Sequence, residues 1–222
     1  MEPIRVGVIG VGYLGKFHAE KYARMDGVKL AGVVDTNPER AESIAKRLGT
    51  EFFADYRDLI NEVDAVSVVV PTPLHFSISR DFLENNVNVL IEKPITETLA
   101  EANALIKLAD SHGSIIQVGH LERFNPAVIA LREVVDRPLF IESHRLSVFK
   151  ELVTEVDVVL DLMIHDIDII LSLAASKVLK VDAAGVNVIG DHEDICNVRI
   201  TFENGCIANV TASRLALKTE RK

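Results

Sequence analysis

Cysteine is scarce, with two residues, Cys196 and Cys206, in a chain of 222. They flank the segment 197–205, in which Glu203-Asn204-Gly205 reads as a three-residue hairpin loop with its glycine in the left-handed conformation. That register sets Cys206 opposite Phe202 and leaves Cys196 about 20 Å further along the ladder, beyond the reach of a disulfide. Both thiols are expected to be reduced, in a cytoplasmic protein. Long apolar runs are missing too. The stretch 63–70 is broken by Asp64 and Ser67, and no segment approaches the roughly 18 residues of a membrane span. The N-terminus shows no charged-then-apolar leader and runs straight into a strand pattern, which argues against export. Basic charge is in deficit, 24 Lys and Arg against 33 Asp and Glu for a net −9, which argues against a general nucleic-acid surface. Repeats, low-complexity tracts and flexible linkers are also absent from the sequence.

What is present is ordinary globular material. At 48% hydrophobic and 26% charged residues the chain can bury a core and is too apolar for intrinsic disorder. Its length allows one large domain or two small ones. The first part alternates near-continuous Val/Ile runs at 4–9, 30–34, 65–70, 87–91 and 115–118 with helical patterns at 13–25, 38–48, 76–85 and 99–112. Pro38 after Asn37 suits a helix start, Thr98 and Glu101 have capping-box spacing, and Gly113 suits a helix end. An α/β fold is predicted: a Rossmann-type doubly wound parallel sheet over about residues 1–120. From 121 to 222 the pattern changes to a short helix at 126–135, a strand at 139–148, a long helix at 156–173 and strands at 178–189, 195–202 and 206–212. With no helices between those last strands, an α+β domain with a mostly antiparallel open sheet is expected.

Gly10-Val11-Gly12-Tyr13-Leu14-Gly15 follows the first strand and opens the first helix with G-x-G-x-x-G spacing. The first glycine makes the turn, the second admits a pyrophosphate and the third lets helix and strand pack closely. Glycines can also serve turns alone, but Asp35 stands at the end of the second strand, 20 residues after Gly15, where a carboxylate can accept two ribose hydroxyls. The same charge repels a 2′-phosphate, so NAD is predicted over NADP, with Arg40 keeping the alternative open. Tyr13 and Leu14 belong to the same cofactor-facing loop.

Glu92-Lys93-Pro94 lies where the strand 87–91 runs out, the sheet edge at which such folds bind ligands. Lys93 is either an exposed strand-end cation or a buried site ammonium, and Pro94 restricts it to extended backbone. Further on, Asp157, Asp161, His165 and Asp168 fall at spacings of four, four and three, so one helical stripe carries all four. A solvated polar stripe, a catalytic pair and metal ligation are all compatible with that spacing. No further His or Cys cluster completes a metal site, and none is predicted.

In this order the glycine motif, Glu92-Lys93-Pro94 and Asp161-Leu-Met-Ile-His165 resemble the glucose-fructose oxidoreductase / inositol dehydrogenase family over essentially the whole chain. The resemblance implies an NAD-binding domain, a second domain for substrate binding and oligomerisation, and hydride transfer between a sugar hydroxyl carbon and nicotinamide. Carried over by position, Lys93 is the active-site lysine, Asp161 the substrate-positioning acid and His165 the general acid/base. A neutral imidazole suits proton removal from an alcohol, and a lysine suits a developing alkoxide. Thr72, Pro73 and His75, in Pro71-Thr72-Pro73-Leu74-His75, would lie along the nicotinamide half of the cofactor with Glu92 and Lys93. His120, Arg123 and Asn125, in the stretch 119–126, would face substrate, the Arg123 fork suiting a phosphate or carboxylate. That stretch and residues 163–168 are similar to the branch acting at C3 of UDP-N-acetyl sugars, with a free sugar or an inositol as the alternative substrate.

Members of that family run beyond 300 residues, so the second domain is expected to be short or incomplete. Its exposed strand edges would then favour a homo-oligomer, a dimer or tetramer, through the C-terminal sheet. Truncation also leaves a reading from another class, a non-catalytic NAD-binding module. A pure binder would need the glycine loop but not Lys93, Asp161 and His165.

Overall fold

Runs of valine and isoleucine with no polar face can be buried only between two layers, and the first part of the chain builds that arrangement. A computed structural model describes residues 2–149 and 156–222. It divides into two units, Met1–Gly119 and His120–Lys222.

In the first unit the elements alternate as β1 (Ile4–Ile9), α1 (Gly15–Tyr22), β2 (Val28–Val34), α2 (Pro38–Leu48), β3 (Glu51–Phe53), β4 (Ala65–Val68), α3 (His75–Leu83), β5 (Asn88–Ile91), α4 (Leu99–His112) and β6 (Ile116–Val118). The sheet is parallel throughout, in the order β3-β2-β1-β4-β5-β6. One apolar cluster gathers Phe82, Leu83, Leu105 and Ile91 on one side, and a second gathers Val8, Val11, Val33 and Ile44 on the other. The helix signals hold locally: Asn37 accepts the Arg40 N–H at 3.0 Å, Thr98 and Glu101 form a reciprocal capping box, and Gly113 closes α4 at φ +65°. β3 is a sixth strand beyond the five read from the sequence. It has three residues, two of them exposed, which is too short for either period to show.

The second unit holds α5 (Pro126–Val134), β7 (Phe140–Leu146), α6 (Ile164–Ala174), β8 (Val178–Val186), β9 (Ile195–Phe202), β10 (Ile207–Ser213) and β11 (Glu220–Arg221). The sheet order is β11-β7-β10-β9-β8. All neighbours are antiparallel except β7 and β10, which run parallel, so the sheet is mixed. Burial alternates along β9, and the inward residues Val198, Ile200 and Phe202 pack with Val158, Met163 and Ile170. Every residue of the edge strand β8 is exposed. Gly205 turns at φ +87° and the ladder sets Cys206 against Phe202 and Cys196 against Ala212; both thiols are free and buried. The predicted helix 156–173 is not one regular helix, because Val159–Met163 forms a π-helical turn before α6. Among the described residues no helix is long and apolar enough to cross a membrane.

Candidate active site

β1 gives way to α1 through a five-residue turn in which each glycine answers a different steric demand. Gly10 has φ +86°, and a Cβ there would lie 2.3 Å from the Val69 carbonyl oxygen. A Cβ on Gly15 would overlap the Gly10 carbonyl, so only glycine lets α1 start this close to β1. Gly12 is different: the nearest neighbour of a Cβ there would be Arg40 Nη1, at 3.3 Å, which leaves room at a helix N-terminus for phosphate. Tyr13 and Leu14 stand exposed on the outside of the turn.

Asp35, at the end of β2, is 8% exposed and tied to the same turn. Its Oδ2 accepts the Val11 N–H at 3.0 Å and its Oδ1 accepts the Asn37 N–H at 2.9 Å. Each oxygen keeps a lone pair for a ribose hydroxyl. Arg40 Nη1 lies 3.7 Å from Asp35 Oδ2, so this arginine is already engaged by the carboxylate. A cleft of about 530 Å³ opens here, lined by Gly10, Gly12, Asp35, Arg40, Arg57 and Pro71 among others. Open space at Gly12, an anchored carboxylate and this cleft fit the adenosine and pyrophosphate of NAD.

Lys93 follows β5, and the Lys93-Pro94 bond is cis. Thr72 and Pro73 form a 3-10 turn after β4, Thr72 half-buried and Pro73 exposed. His75 corrects the reading made from sequence. The ring is 1% exposed, with Nδ1 2.8 Å from the Pro94 carbonyl oxygen and Nε2 2.8 Å from the Val70 carbonyl oxygen. Both ring nitrogens face backbone carbonyl oxygens, one of them donating its N–H, so His75 lies between the two loops instead of presenting its ring to a ligand.

Glu92 is turned inward in the same way. Its Oε1 lies 3.2 Å from His18 Nε2, and its Oε2 accepts the N–H of Lys93 at 3.3 Å. Behind it, His18 Nδ1 is 3.2 Å from Ser67 Oγ, which is 2.7 Å from the Tyr22 hydroxyl. Burial pushes the Glu92 carboxyl up, but the hydrogen bond and charge of His18, with the N–H and ammonium of Lys93, hold it below the usual range overall. His18, Tyr22 and Ser67 were not identified from the sequence. The available signal was Ser67, a polar residue inside an apolar strand run and fully buried here.

In the second unit the polar stripe separates into distinct tasks. Asp157 lies before the helix, its Oδ1 accepting the Val159 and Leu160 N–H groups at 2.9 and 2.8 Å, so it is an N-terminal cap. Asp168 is held by Arg123, whose Nε and Nη2 each reach a different oxygen at 2.6 Å. The Arg123 fork, expected to meet a substrate anion, is therefore paired within the unit. Asn125 Oδ1 caps α5 by accepting the Ala127 N–H at 3.0 Å. Asp161, in the π-helical turn, and His165, in α6, remain as a half-buried acid and imidazole one turn apart. A π-turn in such a position is a common accompaniment of functional residues. His120 Nδ1 is buried with no hydrogen-bond partner among the described residues. Also among the described residues, no group of three or more His, Cys, Asp or Glu could hold a metal ion.

Two family models match the chain: an oxidoreductase family with an NAD-binding Rossmann fold over residues 4–120, and the GFO/IDH/MocA C-terminal domain over 148–222. The chain is 41% identical over 220 residues to the UDP-N-acetylglucosamine 3-dehydrogenase of Acidithiobacillus ferrooxidans, covering 99% of this chain and 70% of that one. The solved structure of that enzyme superposes with a TM-score of 0.93, over 100% of this chain and 73% of that one. An inositol 2-dehydrogenase of Rubrobacter xylanophilus is 33% identical over 196 residues, 84% of this chain and 56% of the relative. The fold also matches scyllo-inositol dehydrogenase of Lactobacillus casei, with a TM-score of 0.85 at 24% identity over 97% of this chain and 71% of that one. With a glycine turn built for a dinucleotide and matches to both domains in order, the chain belongs to the GFO/IDH/MocA family of NAD-binding oxidoreductases.

Proposed function

We propose that this protein oxidises the C3 hydroxyl of UDP-N-acetylglucosamine, or of a closely related UDP-N-acetyl sugar, with NAD as its partner. The observation that carries this reading is the 41% identity to the Acidithiobacillus ferrooxidans enzyme across 99% of the chain. NAD, when bound, would supply the acceptor for the hydride leaving the sugar carbon. The Gly10–Gly15 turn would hold its pyrophosphate, and Asp35 its ribose hydroxyls, the carboxylate charge disfavouring a 2′-phosphate. Thr72 and Pro73 would serve the nicotinamide half. Lys93 stabilises negative charge developing on the substrate oxygen. His165 accepts the hydroxyl proton, and Asp161 binds that hydroxyl or orients the imidazole. His120, Arg123 and Asn125 are the candidates for substrate contact in their stretch, with Arg123 also paired to Asp168 and Asn125 also capping α5.

The test is NADH formation with a panel of UDP-sugars, free sugars and inositols, beside Lys93→Ala. Signal from a UDP-N-acetyl sugar that falls by about 10²–10³ in the variant is the expected result, with NAD preferred over NADP. An inositol that turns over while every UDP-sugar stays silent would overturn the substrate and favour the second reading, which the Rubrobacter relative supports.

We also propose that the protein self-associates through the second sheet into a dimer or tetramer, because β8 is an exposed edge along all nine residues. A monomer by light scattering at working concentration would count against it. A reducing, cytoplasmic setting accords with two buried, unpaired thiols.

A further inference from the structure

The carboxylate of Glu92 is shared between two parts of the first unit that serve different purposes. One oxygen faces His18, on the helix that opens at the glycine turn, and the other accepts the backbone N–H of Lys93. The His18 and Glu92 side chains are 13% and 10% exposed, so water competes weakly for this pair. Hydrogen bonding behind the ring is complete. Tyr22 O–H can donate to Ser67, Ser67 O–H to His18 Nδ1, and His18 Nε2–H to Glu92, which gives each of these atoms a partner. A Cβ at Gly119 would lie 2.9 Å from the same Glu92 Oε1, so glycine there leaves the carboxylate this place. A buried carboxylate in the same strand end could have been satisfied by backbone alone; here it is held from a helix and from the backbone of the next residue.

We propose that His18, acting through Glu92, is a positioning residue for Lys93, and that it links the glycine-turn helix to the reactive lysine. Its consequence for turnover rests on the role given to Lys93 above; the geometric link does not. Among charged groups, His18 meets Glu92, with Lys93 next along the chain, while Ser67 and, through it, Tyr22 lie on its other side.

Two substitutions separate the two sides of the ring. His18→Gln can keep a donor near the Nε2 position and so the Glu92 bond; His18→Asn can keep only the bond toward Ser67. Lys93 acylation by an amine-reactive ester is followed by mass spectrometry, with exposed Lys46 as internal reference. Steady-state kinetics with NAD and UDP-N-acetylglucosamine are measured alongside, and thermal melts confirm folding. His18→Asn is expected to change the Lys93 acylation rate about fivefold relative to Lys46 and to lower kcat by a similar factor with KM within about twofold. His18→Gln is expected to restore most of both, and Glu92→Gln to reproduce His18→Asn. If His18→Asn leaves Lys93 acylation at the wild-type rate, or Gln restores nothing, the proposal is wrong. If the wild type turns over no UDP-sugar, the functional reading fails by itself, and Lys93 acylation still decides this one.

Discussion

Replacing His165 with Asn is expected to lower kcat by about two to four orders of magnitude while leaving NADH affinity unchanged. Asparagine is smaller and polar and can keep a hydrogen bond, so packing around α6 changes little. What it cannot do is take a proton from an alcohol. Asp161→Asn should lose less, because an amide still binds a hydroxyl even though it orients an imidazole poorly. Steady-state rates with UDP-N-acetylglucosamine, beside a fluorescence titration with NADH, separate the two effects. A loss below about tenfold in His165→Asn would remove this residue from the proton-transfer role and leave the polar stripe of the helix without a chemical task.

The largest effect on stability is expected at a residue with no part in that chemistry. Asp166 on α6 and Arg145 on β7 form a two-pronged pair, Nε and Nη2 each reaching a carboxylate oxygen at 2.8 Å, with side chains 10% and 6% exposed. Burial disfavours the Arg145 charge, and the Asp166 hydrogen bond and charge outweigh it, so the guanidinium is held above its ordinary range. Glu122 stands 3.9 Å from Arg145 and is itself 3.2 Å from Arg221, too far out to take over. Asp166→Ala strands a buried guanidinium and is expected to cost about 3–5 kcal/mol. The double replacement Arg145→Met with Asp166→Leu should recover most of it, because an apolar pair of similar volume leaves no charge to solvate. Denaturant melts of the three proteins decide the matter. Equal losses in single and double variants would show that shape, and not the stranded charge, sets the cost.

The contrast between these two residues shows what a sequence can carry. Asp161 and His165 stand four apart, and Gly10, Gly12 and Gly15 lie within one turn, so their proximity is local and survives any global arrangement. The parallel sheet of the first unit was legible for the same reason, since each Val/Ile run carries its own burial. Pairings across distance were not legible. Arg123 with Asp168 and Arg145 with Asp166 span 45 and 21 residues, and nothing in the spacing of either partner points to the other. Both acids sit beside His165, and their chemistry alone made Asp168 resemble a member of the functional stripe. The parallel β7–β10 pair within a mostly antiparallel sheet was not legible for a related reason: parallel neighbours are brought together by the intervening chain, not by a turn. The π-turn at Val159–Met163 conserves an apolar pattern close to that of an α-helix, so composition could not separate them.

His75 has a mechanical meaning. Its ring is a rigid strut with one end on the Val70 carbonyl and the other on the Pro94 carbonyl, both at 2.8 Å. A rigid plane cannot stretch, and displacing either loop by about 1 Å would carry its contact beyond hydrogen-bonding distance. The loop after β4 and the loop after β5 are therefore tied through one buried ring, whose two ends lie against the carbonyls of Val70 and Pro94, the latter next to Lys93.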